Sequence, residues 1–332
     1  MILIVKTGAL GDVLRTTALL PPLSRAYREK IFWLTSQEAK PLLDGNPDIE
    51  KVFTDSRAIN RKFDWVLSLE ENEATVRRIQ KAASRKITGV IYEDGNLSYT
   101  EDSSPYYQMS LLNPDKKKAD KLKLRNRKTF FDLWFSLLGL SRFKKSEIAR
   151  PRIFLTDSDR KSALNLAQKY SLSEKVIGFN PGAGSRWPSK ELSIEKSREI
   201  LKKLAALKKP ILLLGGPEEK SRNREIARGL SYVLCPPVFP LKSFAALIDL
   251  CQLIITTDSL AFHMATALRK NVLVLVGPTS SAELDVFGKG EKIAAPSCSC
   301  FYRPSCSREI SCLNAISSSR ILSAVRRNLD SL

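Results

Sequence analysis

The stretch LIITTDSLAFHMATALRKNVLVLVGP, residues 253–278, decides the fold. It reads as a strand over 253–256, a polar turn, a short helix over 259–268 and a second strand over 271–276, closed by Gly277 and Pro278. Both strands are near-continuous apolar runs, as expected of parallel strands covered on both faces. Asp258 and Ser259 fall at the start of the helix. There, unpaired N–H groups and the positive end of the helix dipole attract anions, phosphate above all. Open α/β sheets bind ligands at the carboxyl ends of such strands. A second reading stands beside this one, in which Asp258 or Ser259 only caps the helix.

Outward from this stretch the same alternation continues. A strand over 176–180 leads into the loop PGAGSRWPSK, and helices over 193–207, 218–229 and 241–251 alternate with strands at 211–214 and near 233. At the other end of the chain, strand 2–5 runs into Lys6, Thr7, Gly8, Ala9, Leu10, Gly11 and Asp12, then into an apolar helix from about residue 13. This order resembles a phosphate-binding turn but fits neither G-x-G-x-x-G nor the P-loop pattern. Gly8 and Gly11 allow close backbone approach and tolerate positive φ. Asp12 either caps the helix or places a carboxylate at the mouth of the first strand. Strands at 31–34, 51–54, 65–68 and 86–90 complete a first α/β unit, and Pro151 marks the boundary. The fold class is therefore α/β, with two doubly wound parallel sheets.

Composition narrows the partners. The chain has 332 residues with 54 Lys and Arg against 35 Asp and Glu, a net charge of +19. Such a balance favours anionic partners. Helix-turn-helix, zinc-finger and RNA-binding signatures are missing, so nucleic acid is an unfavoured partner. No apolar run approaches the length of a membrane span and the start MILIV meets Lys6 at once, which predicts a cytoplasmic protein, or one peripheral on the cytoplasmic face of the inner membrane. Residues 115–128, DKKKADKLKLRNRK, read as a solvated basic loop before an apolar helix over 130–140, FFDLWFSLLGL. The pair is either a membrane-surface device or a core helix preceded by a charged loop.

Three segments in the right order, VKTGALGDVLRTTALLPPL, FNPGAGSRWPSK and TTDSLAFHMATAL with the GPTS that follows, resemble glycosyltransferase family 9, the heptosyltransferases of lipopolysaccharide core assembly. The resemblance implies the GT-B fold, two Rossmann-like domains facing across a cleft. Residues 1–150 would bind the acceptor and 151–315 the sugar nucleotide, with a helix in 316–332 crossing back. It implies Asp12 as the general base, with Lys6, Gly8, Gly11 and Arg15 in the acceptor-side loop. Lys190 would meet the donor diphosphate, as would Ser185, while Glu218 or Glu219 would hold the ribose. Asp258, Ser259 and His263 complete the implied donor site, His263 being the only histidine in the chain. A buried helix residue remains the other reading of His263. Two departures stand out: Leu260 where the family has Gly, and Glu191, Leu192 and Ser193 after the lysine.

Cys298, Cys300, Cys306 and Cys312 follow C-x-C-x5-C-x5-C in a proline-containing segment. In a reducing compartment four such thiolates favour a structural tetrahedral metal, zinc or iron, over disulfides, with plain reduced thiols as the alternative. Related autotransporter heptosyltransferases carry a four-cysteine iron motif, an analogy pointing the same way. Cys235 and Cys251 read as core residues. The resemblance thus implies an inverting transferase that moves a heptose or similar sugar from an ADP-sugar to an anionic glycolipid, with no cofactor in catalysis. The alternatives are a related transferase acting on a protein or another glycan, and a non-catalytic sugar-nucleotide-binding protein.

Overall fold

The computed structural model describes residues 1–143, 148–172, 176–298 and 300–330. Two compact units are present, Met1–Phe154 with Ala282–Asp285, and Leu155–Ser281 with Val286–Leu332. The first is built on strands β1 (Ile2–Val5), β2 (Ile31–Leu34), β3 (Lys51–Phe53), β4 (Phe63–Ser68), β5 (Ala83–Glu93) and β6 (Asn96–Tyr99). The second has β7 (Ile177–Asn180), β8 (Ile211–Leu213), β9 (Val233–Leu234), β10 (Leu253–Thr257), β11 (Asn271–Val276) and β12 (Gly290–Ala294).

The sheet orders are β3-β2-β1-β4-β5-β6 and β12-β11-β10-β7-β8-β9. Counted from its own first strand, each unit therefore runs 3-2-1-4-5-6, the order of Rossmann dinucleotide-binding folds. Every neighbouring pair is parallel except β5 with β6. The apolar runs that announced β1, β7 and β10 are buried along their whole length, as central strands require. In both sheets the winding reverses beside the first strand, between β1 and β4 and between β7 and β10. Connections there leave toward opposite faces, so the carboxyl ends of these four strands frame the two ligand positions.

One sequence expectation needs correction, and one pair of alternatives is decided. The basic stretch is not a loop: Lys116–Arg125 is helical, started by Asp115, whose side chain accepts the Lys118 N–H. Only Ala119 is fully buried and most of the charges face solvent, while Lys123, 16% exposed, turns in to pair with Glu283 at 3.7 Å, so repulsion does not prevent the helix. The apolar segment forms the helix Phe130–Leu137, opened by a capping box between Thr129 and Asp132, and buries Phe130, Phe131, Leu133, Trp134 and Phe135. It is a core helix and offers no aromatic face to a lipid surface. The C-terminal helix Ser318–Asp330 lays Ile321, Ala324 and Val325 among Leu201, Leu204 and Leu273 in the core of the second unit. Full burial of Ile321 and of Val325 contributes about 2 kcal/mol each. Among the described residues no helix is long and apolar enough to cross a membrane.

Candidate functional site

In the first unit, β1 ends in the loop 6–9 and the helix Leu10–Thr16 follows. Ala9 occupies the capping position and Asp12 lies inside the first turn, so Asp12 does not cap this helix. Neither Gly8 nor Gly11 adopts positive φ, and a Cβ on Gly8 would meet nothing, which leaves open approach as that residue's only steric consequence. The Asp12 carboxylate, 35% exposed, lies 3.0 Å from Arg15 Nη2. Arg15 is fixed in turn: its guanidinium sits 4.1 Å from the Phe130 ring centroid and reaches Tyr106 Oη at 3.5 Å. Lys6, Asp12, Arg15, Glu71, Tyr106 and Phe130 line one pocket. Burial pushes the Tyr106 phenol well above its ordinary value, which keeps it neutral and able to donate.

Glu70, absent from the sequence expectations, organises this loop. It is buried at the end of β4 and accepts the Thr7 N–H at 2.8 Å, the Thr7 hydroxyl, and the N–H groups of Glu71 and Asn72 at 2.9 and 3.0 Å. Burial alone would raise its pKa, but these donors and the charge of Lys6 outweigh it and hold the carboxylate below its usual range. The loop after β1 is thereby tied to the loop after β4.

In the second unit, β10 ends at Asp258 and Ser259, and the helix Leu260–Ala267 begins. Ser259 stands at its capping position, and its side chain makes no capping bond. The Ser259 hydroxyl turns inward instead, 3.0 Å from Thr256 Oγ1 and 3.2 Å from Asn180 Nδ2. Asp258 pairs with Lys190 at 2.9 Å, with the two side chains 13% and 19% exposed. Capping therefore explains neither residue. Burial would raise the Asp258 pKa, yet the charge of Lys190, followed by that of His263, reverses this and holds the carboxyl far below the usual range. Lys190 arrives on the turn Pro188–Lys190, its ammonium 5.1 Å from the Trp187 ring centroid. His263 is buried one turn into the helix and meets the Phe262 ring edge-on. Leu260 occupies the first helical position.

The glycine loop between β7 and Lys190 is filled from within. Gly184 N–H donates to Glu219 Oε1 at 2.9 Å and Ser185 N–H to Glu218 Oε2 at 2.7 Å. The Ser185 hydroxyl also donates to Glu218, and the second oxygen of Glu219 accepts the Gly216 N–H at 2.8 Å. Ala183 N–H points to Glu191 at 3.5 Å. Successive N–H groups of this kind make an anion-binding concavity. A Cβ on Gly182 would stand 2.6 Å from Glu219 Cγ, so only glycine lets the carboxylate in. Asn180 and Thr257 bind the Gly182 carbonyl at 2.8 and 3.3 Å and so join this loop to the Ser259 turn. Lys190 and Asp258 are thus brought together, as are Ser185 and Glu218, while the Ser185 hydroxyl is spent on a carboxylate.

The cysteines also converge. The sulfurs of Cys298, Cys300 and Cys312 lie within 4.8 Å of one another, and Cys298 Sγ is 3.6 Å from Cys300 Sγ. The Cys300 thiol donates a hydrogen bond to the Cys306 sulfur. Burial, then Cys298, pushes Cys312 up to about 11, whereas the Arg308 N–H lowers Cys306. Thiolates around one tetrahedral ion stand about 3.8 Å apart for metal–sulfur bonds of about 2.3 Å. The cluster fits such a site. Cys251 is a core residue, its thiol 3.4 Å from the Leu247 carbonyl, and Cys235 is half-buried.

The family model for glycosyltransferase family 9 (heptosyltransferase) matches residues 95–302, well over half of the chain. No curated protein sequence matches it. Among solved structures, a family 9 glycosyl transferase from Veillonella parvula DSM 2008 is similar at 19% identity and a TM-score of 0.75, over 100% of this chain and 97% of that one. The E. coli ADP-heptose lps heptosyltransferase II is similar at 18% identity and 0.68, over 99% and 98%. The iron-containing dodecameric glycosyltransferase TibC from enterotoxigenic E. coli H10407 is similar at 12% identity and 0.53, over 99% and 76%. These likenesses establish the architecture, the GT-B fold.

Proposed function

We propose an activity from the premise that this chain belongs to glycosyltransferase family 9, the heptosyltransferase family: it is an inverting transferase that moves a heptose or similar sugar from an ADP-sugar to an anionic glycolipid of the lipopolysaccharide core. The observation that carries the donor half is the pairing of Lys190 with Asp258 beside a helix start where Ser259 makes no capping bond. A diphosphate leaving group needs positive charge and free N–H groups, and this corner of the second unit supplies both. Asp258 aims the ammonium; Glu218 and Glu219 shape the glycine loop and take the ribose hydroxyls. The ADP-heptose named for the E. coli enzyme supports the same donor here.

The acceptor half rests on Asp12. Its carboxylate takes the proton from the acceptor hydroxyl as that oxygen attacks the anomeric carbon, and the bond from that carbon to the diphosphate breaks with inversion. Arg15 holds Asp12 in place and, with Lys6, receives the acidic groups of the acceptor. No cofactor enters this chemistry. Cys298, Cys300, Cys306 and Cys312 would hold a zinc or iron ion whose contribution is to cross-link their loop. The basic helix Lys116–Arg125, with Leu124 55% exposed, supports peripheral contact with the acidic face of the inner membrane.

The test is thermal unfolding with ADP, UDP and GDP, followed by transfer from ADP-heptose to truncated lipopolysaccharide. A ligand at about 100 times its dissociation constant adds roughly 2.7 kcal/mol. Stabilisation by ADP alone, together with transfer, is the expected result. Binding without transfer would leave a sugar-nucleotide-binding protein, and no binding by any nucleotide would overturn the donor assignment.

A further inference from the structure

We propose that the four-cysteine loop sets the position of Lys190 through Ser189, so that metal occupancy of the cysteines controls the grip on the donor diphosphate. This rests on the donor reading above and adds a regulatory link to it. Ser189 is 5% exposed and immediately precedes Lys190. Both of its polar groups are committed to the cysteine loop: its N–H donates to the Pro304 carbonyl at 3.0 Å and its hydroxyl to the Arg303 carbonyl at 2.7 Å. Arg303 N–H in turn donates to the Cys300 carbonyl at 2.9 Å, which places the anchor one short turn from a thiolate.

The same loop grips the other flank of the site. Tyr302 N–H donates to the Pro278 carbonyl at 2.7 Å, and the Ser280 N–H donates to the Tyr302 hydroxyl at 3.1 Å. A Cβ on Gly277 would stand 3.2 Å from Cys312 Sγ, so a cysteine packs directly on the backbone that leaves β11. Just beyond Lys190, Ser193 N–H donates to Asn314 Oδ1 at 2.9 Å. The segment carrying Lys190 is therefore held on both sides of the lysine by residues in and just after the cysteine loop.

Among the described residues, no helix or strand falls between β12 and Ser318–Asp330. Thiols are weak hydrogen-bond donors, so cross-linking by a metal is the strongest constraint available to such a loop. With the ion bound, the Arg303 and Pro304 carbonyls stay where Ser189 needs them. Without it the loop gains conformational freedom and the two bonds to Ser189 weaken. Lys190 then keeps its charge but loses its fixed place opposite the diphosphate. Ser189 is accordingly a positioning residue, acting through Lys190.

The experiment uses the full chain, loaded with zinc or stripped by chelator under reducing conditions. It reads amide exchange over residues 183–193 and the affinities for ADP and adenosine. Metal removal is expected to raise exchange at Ser189 and Lys190 and to weaken ADP about tenfold, the effect of losing one or two ordinary hydrogen bonds, with adenosine unchanged. Ser189→Ala should reproduce part of the ADP loss, Ser189→Thr should restore it, and in Lys190→Ala chelation should have no further effect on ADP. Unchanged exchange on metal removal, equal weakening of ADP and adenosine, or neither zinc nor iron bound by the protein would each overturn the coupling. Zinc-dependent exchange with no ADP binding in any state would leave the mechanical link standing and sink the donor assignment instead.

Discussion

The two sheets share one winding order and each places an aspartate beyond its switch point, yet the two carboxylates are treated in opposite ways. Asp12 sits on its helix beside Arg15, three residues along, with 35% of its side chain exposed in a pocket. Asp258 sits before its helix and meets Lys190, 68 residues away in sequence, with 13% exposed. Both are paired with a cation, but the first stays more than twice as exposed as the second. Topology fixes where a charge stands, and burial decides how much of it a ligand can reach.

The contrast can be broken first at Asp12. Asp12→Asn keeps the shape and removes the base, so kcat for transfer should fall by about three orders of magnitude, while ADP affinity stays within twofold. Equal loss of both would place Asp12 in binding. Asp258→Ala should do the reverse in kind. Leaving the Lys190 ammonium without its partner should lower unfolding free energy by about 3 kcal/mol, read by urea denaturation, and weaken ADP as well.

Acid sharpens the same comparison. The folded-state pKa of Asp258 is depressed, so its contribution is fully present above the unfolded value of about 3.9 and is lost as pH falls through the folded value. The wild type should therefore lose stability below about pH 4 more steeply than Asp258→Asn. Parallel curves would show that the pair contributes nothing to folding. The smallest effect belongs to the support of Asp12: Phe130→Leu removes the face under Arg15 and should cost about 1 kcal/mol, with a modest loss of transfer and no change in ADP binding.

The central strands were readable because β1, β7, β10 and β11 are near-continuous apolar runs. The edge strands β6, with Asn96 and Ser98, and β12, with Glu291 and Lys292, were not, since exposed edges carry polar residues that give no buried-strand pattern. The helix Lys116–Arg125 was missed because its periodicity is written in charge; Asp115 three residues before Lys118 was the available sign. At the site, Asp12, Lys190 and Asp258 stand in recognisable motifs. Glu70, Tyr106 and Ser189 do not, because their partners lie 63, 91 and 114 residues away. Local spacing carries no record of such meetings.

The carboxylates in the glycine loop have one more consequence. With Glu218 and Glu219 already on the N–H groups of Ser185 and Gly184, a stray phosphate or sulfate finds negative charge where an open loop would have welcomed it. On the proposed donor reading, small inorganic anions should bind this loop weakly, and a ligand anchored elsewhere by its nucleoside would be the one to bring phosphate alongside. On that reading the loop would act as a filter that reads the size of its visitor through the visitor's other attachments.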